Sequence, residues 1–268
     1  MSEWEQVRGA AVIDLSVVTA PDLPSGWPGH MPFATKVWNW YVPLRERQGS
    51  IPSTAPYQTR FWVIDEHTGT HFDAPPHFVP PPGSGLPFAG TGGDETGEKV
   101  PLEDLMGPAA VIDVTRLAGR GSPGESPWIL PEHVERWEER CGRLGAGDVA
   151  LLRTGWDRHY VPGPDGDAYA RGPLVTRTGP GWPAPRADTV VLLHERGVRC
   201  VGIDAPSIGA AHDGAPAHQE GLSRGLRYVE LLTGLDRLPP RGAYFIFLPA
   251  RIGGATGGPG RAIALLAP

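Results

Sequence analysis

Short apolar segments recur along the chain, and each is closed by Gly, Pro or Asp. They are rich in Val, Ile and aromatic residues, which favour extended backbone. The segments span residues 10–16, 60–67, 109–115, 148–154, 199–204 and 244–249. We therefore predict a β-strand in each of them.

Two other segments carry apolar residues at helical spacing. In residues 131–144, Val134, Trp137 and Cys141 recur at intervals that place them on one face of an α-helix. A second helix is predicted over 187–197, where the final glycine provides a C-cap. Strands interleaved with a few helices predict a mixed α/β fold.

Gly and Pro are abundant, at 37 and 31 of the 268 residues, but they follow no fixed period. This pattern argues against a collagen-like repeat, and the 9 tryptophans argue against disorder. We expect long ordered loops instead, at residues 79–100 and 161–186. The first of these loops follows a cluster of histidines and is predicted to cover a pocket.

Length and charge narrow the class of protein. A chain of 268 residues with 40% hydrophobic content can bury a core, and we predict a single domain over residues 1–268. The net charge of −6, without a run of Lys or Arg, argues against nucleic acid and membrane partners. The N-terminus lacks the basic start and apolar core of a secretory signal. We expect a cytoplasmic protein in which Cys141 and Cys200 are buried thiols rather than a disulfide or a metal pair.

The segment HTGTHFDAPPH, residues 67–77, carries the strongest chemical signal. It places three imidazoles and one carboxylate close together in the chain, from His67, His71, Asp73 and His77. Neutral imidazoles beside a hard carboxylate are typical ligands of a divalent metal, and burying such a cluster for packing alone is costly. We therefore predict a metal site in this segment.

The spacing of these residues constrains the backbone. The segment is predicted to leave a strand and enter a loop, because Pro75 and Pro76 cannot continue a ladder. In an extended strand His67 and His71 would lie ~13 Å apart, too far to share one ion. A bend at Gly69 would bring them together. A helix would also pair the two histidines, but it would have to accommodate Gly69 and two threonines, so we favour the bent strand.

The same segment resembles the HxGTHxDxPxxH signature of the cyclase family of metal-dependent hydrolases, whose members include kynurenine formamidases and isatin hydrolases. Further blocks of that family are matched in the same order along the chain. They are IDLS with WPGHMPF, GPAAVIDVT (107–115), GDVALLRTGW (147–156) and VGIDAPSI (201–208). The resemblance covers nearly the whole chain and implies the mixed α/β, swivelling β/β/α-type fold of the family.

The resemblance also implies a role for each residue of the motif. By position, His67, His71 and Asp73 correspond to metal ligands. His77 corresponds to the catalytic acid or base rather than to a ligand.

A second metal ion is implied in the same way. In members with two ions, the counterpart of the aspartate bridges to an ion held by a later histidine and a glutamate twelve residues beyond it, the separation of His218 and Glu230. An unbroken helix of that length would span ~18 Å, so we expect a short helix after His218 and a strand that ends at Glu230. The pair is alternatively a helix-end histidine and an exposed acid, and His212 competes for the place of His218.

Three aromatic residues precede the motif. We predict that Trp38, Trp40 and Tyr41 form an apolar wall for a substrate that carries a ring, although such clusters also serve as ordinary core. The resemblance implies a homodimer or homotetramer. Nitrogen and oxygen ligands suit both Zn²⁺ and Mn²⁺, so the metal stays open between them.

Together these features predict a metal-dependent hydrolase. A divalent ion with few protein ligands keeps a position for water and lowers the pKa of that water toward ~7, and a histidine then carries the proton to the leaving group. The predicted substrate is a small molecule with an amide, lactam, lactone or ester bond. The alternatives are a cyclase or dehydratase that closes a ring, and a non-enzymatic protein that binds a metal or ligand.

Overall fold

A computed structural model of the protein describes residues 8–42, 44–46, 49–51 and 56–267. The strands are β1 (Ala11–Asp14), β2 (Ala34–Asn39), β3 (Leu44–Glu46), β4 (Gly49–Ile51), β5 (Thr59–Val63), β6 (His71–Asp73), β7 (Met106–Asp113), β8 (Trp128–Ile129), β9 (Val149–Arg153), β10 (Ala184–Pro185), β11 (Cys200–Ile203), β12 (Arg227–Glu230), β13 (Ala243–Pro249) and β14 (Gly257–Leu266). The α-helices are α1 (Pro131–Cys141), α2 (Ala187–Glu195) and α3 (Ala215–Ser223). A short 3-10 helix, Pro75–His77, follows β6.

The main sheet closes on itself. Its strands run in the order β14-β13-β7-β9-β11-β12-β6, and β6 pairs again with β14, so these seven strands form a barrel-like ring. The strands β7, β9, β11 and β12 are parallel to one another, whereas the remaining pairings are antiparallel. One edge of β14 is shared, because β6 pairs with its first residues and β1 with its last. The strand β6 is therefore hydrogen-bonded on both of its edges.

Residues of the ring strands alternate between two hydrophobic cores. In β9, Val149 and Leu151 belong to a core that includes Phe72 of β6 and Phe245 of β13, which places it inside the ring. Ala150 and Leu152 of the same strand belong to a core that also contains residues of all three α-helices. The helices thus cover the outer face of the parallel strands, and the mixed α/β architecture predicted from the sequence is confirmed.

Most of the predicted elements are present within a few residues of their expected bounds. The confirmed strands are β1, β7, β9, β11 and β13, and the confirmed helices are α1 and α2. The glycine predicted to cap α2, Gly197, has a φ of +86°, as a helix-terminating glycine requires.

The strand predicted over 60–67 is wrong at its C-terminal end. It stops at Val63 as β5, and a turn-rich segment leads from there to β6. Its partner β2 begins at Ala34, opposite Val63, so the pairing ends there. Gly69, with a φ of +66°, then bends the backbone just before β6.

The helix expected to follow His218 is also displaced. It begins at Ala215, with Pro216 in its first turn. A proline is tolerated there because the N–H groups of the first turn have no intrahelical acceptor. His218 therefore lies inside α3. The strand predicted to end at Glu230 is confirmed as β12.

Both cysteines are free thiols, as predicted, and Cys200 is buried whereas Cys141 is half-buried. Across the described residues, no helix combines the length and the apolar content needed to cross a lipid bilayer.

Candidate metal centre

The bend predicted before β6 is present and is centred on Gly69. Its N–H donates to the Ser25 carbonyl at 2.6 Å, which holds the turn against the N-terminal segment. A Cβ atom at this position would lie 2.2 Å from Thr19 Oγ1, so both the φ angle and the space favour glycine. The turn places the His67 ring beside the start of β6, with 5.0 Å between the ring centroids of His67 and His71.

His67, His71 and Asp73 form a first group of metal-type donors. The Nδ1 atom of His67 lies 3.0 Å from Asp73 Oδ1, and the Nε2 atom of His71 lies 3.5 Å from the same oxygen. Two atoms bound to one ion at ~2.0–2.2 Å are ~3.0–3.4 Å apart at the usual coordination angles. These three buried side chains could therefore hold one cation.

Asp73, His218 and Glu230 form a second group of donors. Nε2 of His218 lies 3.5 Å from Asp73 Oδ2 and 3.2 Å from Glu230 Oε1. The strand β12 brings Glu230 opposite His71 of β6 in the antiparallel register, and α3 brings His218 over the end of that pair. Each Asp73 oxygen thus faces a different group, which is the arrangement of a carboxylate that can bridge two cations.

Partners outside the two groups fix the orientation of the imidazoles. His71 Nδ1 donates to the Gly69 carbonyl at 2.8 Å, and His218 Nδ1 donates to the Gly214 carbonyl at 2.8 Å. Because a carbonyl only accepts, both rings carry a proton on Nδ1 and turn Nε2 toward the carboxylates. Ligating histidines in metalloproteins are commonly oriented in this way.

The His67 ring is oriented by a side-chain hydroxyl rather than by a backbone carbonyl. Its Nε2 lies 3.3 Å from the Thr256 hydroxyl, so Nδ1 is the nitrogen that faces Asp73. Thr256 in turn donates to Glu66 Oε1 at 2.5 Å. The outer partner of this ring therefore comes from the chain just before β14, the strand that pairs with β6.

The charges in the cluster are strongly coupled. Burial raises the pKa of Asp73, but the surrounding imidazoles, His77 foremost, outweigh it and hold that pKa well below its usual range. Burial lowers the pKa of His218, yet the carboxylates of Asp73 and Glu230 raise it to about 10. His71 is affected in the same way, and its pKa is also raised. In the absence of any cation, protonated histidines must balance the two carboxylates.

The donor set fits a divalent cation. Asp73 Oδ2 is buried and has no hydrogen-bond partner among the described residues, although an ionised oxygen in such a place is costly to leave unpaired. Glu230 Oε1, by contrast, accepts from the Ile208 N–H at 2.6 Å and from the Ser207 hydroxyl at 3.2 Å. A divalent cation would pair with Asp73 Oδ2 and balance both carboxylates, and the imidazoles could then stay neutral.

His77 lies beside the cluster on the 3-10 helix that the two prolines start. Its ring stacks on that of His67, with centroids 3.9 Å apart, and it faces a cavity. Burial lowers the pKa of His77 to about 3, and the neighbouring imidazoles act in the same direction against the attraction of Asp73. The ring is therefore neutral near pH 7.

The cavity next to the cluster has a volume of about 200 Å³. Its walls are mostly apolar and come from the segment 24–30, from Phe78 and Tyr169, and from the residues that follow β11 and β12. Trp27 presents a ring that packs edge-on against the buried Trp182. Phe78 stacks on His218 with centroids 4.3 Å apart. The site can therefore enclose a small flat molecule against the donor cluster.

Several lining residues were not identified from the sequence. His30 borders the cavity, with Nδ1 3.3 Å from Asp65. Trp27 lies beside it in the WPGH segment, which the family resemblance marks but to which no function was assigned. Tyr169 stands alone in a Gly-rich region that carries no motif.

The other predicted residues lie elsewhere. Trp38 is on β2, and Trp40 and Tyr41 follow that strand. None of the three borders the cavity in this chain, so their contact with substrate stays a prediction. The loop 79–100 does not border the cavity either. His212 accepts the Ser126 N–H at 3.1 Å and lies outside both donor groups, so the structure places His218 in the cluster.

Comparisons with known proteins point in one direction. Residues 13–210 match the family described as "Putative cyclase". An isatin hydrolase of Roseibium aggregatum is 31% identical over 80% of this chain and 77% of its own length. A kynurenine formamidase of Bacillus thuringiensis is 29% identical over 98% of this chain and 97% of its own. A crystal structure of an isatin hydrolase bound to the product analogue thioisatinate superposes with a TM-score of 0.78 at 24% identity, over the full length of both chains.

Proposed function

Because the chain belongs to the putative cyclase family, we propose that it is a metal-dependent hydrolase that cleaves a carbon–nitrogen amide bond in a small aromatic substrate. Hydrolysis of an amide is the reaction named for its isatin hydrolase and kynurenine formamidase relatives. The observation that carries the proposal is the position of neutral His77 between the buried donor cluster and an apolar cavity.

We propose that the cluster holds two divalent ions, Zn²⁺ or Mn²⁺. His67, His71 and Asp73 would hold one ion, and Asp73, His218 and Glu230 the other. The support is the division of the two Asp73 oxygens between the groups. Nitrogen and carboxylate donors suit either metal.

His77 is the proposed acid and base. Bound in the cluster, a divalent cation supplies a Lewis acid that polarises an acyl carbonyl and lowers the pKa of water. The neutral His77 ring accepts a proton from the attacking water and returns it to the departing nitrogen. No serine or cysteine nucleophile is needed, because water itself attacks the carbonyl carbon.

The cavity supports a substrate with one or two fused rings. Its volume of about 200 Å³ lies below the range of drug-sized pockets, and Trp27, Phe78 and Leu231 provide apolar contacts. These walls also keep bulk water from the reacting groups, which strengthens electrostatic interactions in the site. A lactam fused to a benzene ring and an aryl formamide both satisfy this description.

We further propose that the protein is a homodimer and that β2 and β5 form part of the contact. These strands pair only with each other among the described strands, with Thr35 opposite Trp62. An isolated two-stranded ribbon is marginally stable in water. Trp38 and Trp62 are nevertheless 63% and 66% exposed, which is typical of a surface that a partner covers. The free thiols fit a cytoplasmic location, which we also propose.

An activity screen on the metal-loaded protein tests the proposed reaction. Isatin, an aryl formamide and a simple lactone would be incubated in turn, and the products analysed by mass spectrometry. We expect the isatin product to gain the mass of one water, and the formamide to release formate. Loss of water, or a product of unchanged mass, would indicate a dehydratase or cyclase instead. No reaction with any of them, at full metal loading, would contradict the proposal.

A further inference from the structure

A threonine near the C-terminal end of the chain contacts the first donor group. Thr256 lies just before β14, and its hydroxyl oxygen is 3.3 Å from Nε2 of His67. That hydroxyl donates to Glu66 Oε1 at 2.5 Å, and the Thr256 backbone N–H donates to Glu66 Oε2 at 2.9 Å. The Glu66 carboxylate therefore holds Thr256 by two hydrogen bonds, one to its side chain and one to its backbone.

These bonds fix the direction of each proton. An ionised carboxylate only accepts, so the single hydroxyl proton of Thr256 points at Glu66, and the hydroxyl oxygen accepts from Nε2 of His67. Glu66 Oε1 itself lies 4.0 Å from that nitrogen, beyond the reach of a hydrogen bond, so it acts through Thr256. The nitrogen of His67 that remains for a cation is Nδ1, which lies 3.0 Å from Asp73 Oδ1.

Backbone contacts hold Thr256 beside the imidazole. Its carbonyl accepts the Ala74 N–H at 2.9 Å, directly after Asp73 in the chain. The next residue, Gly257, packs closely against the same ring, because a Cβ atom there would lie 2.7 Å from Cε1 of His67. The ring therefore has little space in which to turn away from the hydroxyl.

Among the described residues, His67 is the one candidate metal-binding histidine whose outer partner is a side chain. His71 and His218 donate Nδ1 to backbone carbonyls, which a substitution does not remove. Thr256 and Glu66 belong to neither donor group, and they do not border the cavity. Their contact with the cluster therefore runs through the His67 ring.

We propose that Thr256 and Glu66 are positioning residues of the candidate metal centre, which hold His67 with Nδ1 toward the cation. This inference rests on the proposed function, since it requires that the cluster binds a divalent ion. The Glu66 carboxylate polarises the Thr256 hydroxyl, and this makes the hydroxyl a better acceptor for the Nε2 proton. An imidazole that donates such a bond is a more basic ligand, and losing an outer partner of this kind typically weakens metal binding about 10- to 100-fold.

Zn²⁺ binding to the full-length, chelated protein tests the inference without any substrate. Thr256→Val keeps the shape of the side chain but removes the hydroxyl, and it should lower Zn²⁺ affinity about 10- to 100-fold in competition with a chromophoric chelator. Thr256→Ser keeps the hydroxyl and should recover most of that affinity. Glu66→Ala leaves the Thr256 hydroxyl without its carboxylate, so it should also weaken Zn²⁺ binding.

Thr189→Val is the matched control. The Thr189 hydroxyl donates to the Ile129 carbonyl at 2.7 Å, and Thr189 belongs to neither donor group. Thr189→Val and Thr256→Val each lose one side-chain hydrogen bond and should lower the Tm of the metal-free protein. Thr189→Val should nevertheless keep the Zn²⁺ affinity of the wild type. Equal affinities in the two variants would show that Thr256 only stabilises the fold.

Turnover of isatin separates this inference from the proposed function. At saturating Zn²⁺, Thr256→Val should keep the KM of the wild type, because Thr256 does not border the cavity. A wild type that binds Zn²⁺ but hydrolyses no amide would contradict the proposed function alone, and a selective loss of affinity in Thr256→Val would still support the positioning role. Wild-type affinity in Thr256→Val, or an equal loss in Thr256→Ser, would overturn that role. A wild type that binds no Zn²⁺ would overturn both.

Discussion

Two buried carboxylates, Asp73 and Glu230, set the electrostatics of the candidate metal centre. Their charges raise the pKa of His71 and of His218, so without a cation the centre must take up protons to stay balanced. Metal binding should therefore release protons and weaken as the pH falls. The rings of His71 and His218 already point Nε2 inward, so a cation that displaces the proton finds the nitrogens in place.

Two substitutions distinguish the role of a metal ligand from that of the proposed catalytic residue. We expect Asp73→Asn to lower metal affinity by at least about 100-fold, because it removes the carboxylate shared by both donor groups. His77→Gln should keep the metal and lower kcat about 100- to 10,000-fold, because it removes the proton acceptor. Metal content by mass spectrometry and turnover of isatin would be measured on the same samples.

Asp104→Asn is a control for this pair. Asp104 is buried and ion-paired with Arg227 outside the cluster, so its substitution should leave the metal content unchanged. Full activity in His77→Gln would exclude the assigned role, and full metal occupancy in Asp73→Asn would exclude the bridging carboxylate.

At the scale of elements, the bend before β6 determines whether the first donor group forms. Gly69→Ala should destabilise the protein through its positive φ, by roughly 1–2 kcal/mol, and add a similar cost for the contact with Thr19. Gly83→Ala is the matched control, because Gly83 has a φ of +77° but nothing within 4 Å of the added Cβ. We expect both variants to lower the Tm and only Gly69→Ala to weaken metal binding. Equal metal affinity in the two variants would show that the turn does not position His67.

The same elements show what the sequence could predict. The bend at Gly69 followed from the reach of an extended strand, and the central strands from their apolar composition. The strand β14 was missed because its first residues read Gly-Gly-Pro-Gly, a composition typical of a loop. It is a strand because β6 and β13 supply pairing partners from distant parts of the chain, and composition alone does not reveal such partners.

Residues of the candidate site also differ in whether the sequence alone could identify them. His67, His71 and Asp73 were identified because their chemistry repeats within a short segment. His218 and Glu230 depended on a family resemblance, because the chain reversal between them is not apparent from residue types. Single cavity residues such as Tyr169 belong to no pattern, and only their position in the folded chain identifies them.

For the whole molecule, Asp204 links stability to pH. Burial raises its pKa to about 7, against the hydrogen bonds it accepts from Thr154 and Gly155. The folded state then holds a proton that the unfolded state releases near pH 4. The contribution of Asp204 to the free energy of unfolding therefore falls as the pH rises from about 4 to 7, and it is constant above pH 7. A pKa difference of this size corresponds to a change in the free energy of unfolding on the order of 4 kcal/mol.

Denaturant unfolding of the metal-free wild type and of Asp204→Asn at pH 4 to 8 measures this contribution. We expect the wild type to lose stability relative to Asp204→Asn across the window from pH 4 to 7, because the variant cannot release a proton there. Parallel stability curves for the two proteins would show that Asp204 keeps an ordinary pKa.

Assembly is a second property of the whole molecule. Light scattering should give the wild type twice the 28.7 kDa of one chain, and Trp62→Glu should shift the mass toward one chain, because a charge on the ribbon opposes burial. Leu86→Glu is the control, since Leu86 is 58% exposed in the loop 79–100, away from the ribbon. A wild type with the mass of one chain would contradict the proposed dimer, and a mass of four chains would indicate a tetramer.

Metal dependence of hydrolysis is the most direct test of the account. The chelated protein would be titrated with Zn²⁺ or Mn²⁺ while bound metal and the rate of isatin hydrolysis are followed together. We expect no turnover in the metal-free protein and a rate that rises with occupancy until about two ions are bound per chain, the number that the two donor groups can hold. Full turnover by protein that contains no metal would contradict the central claim.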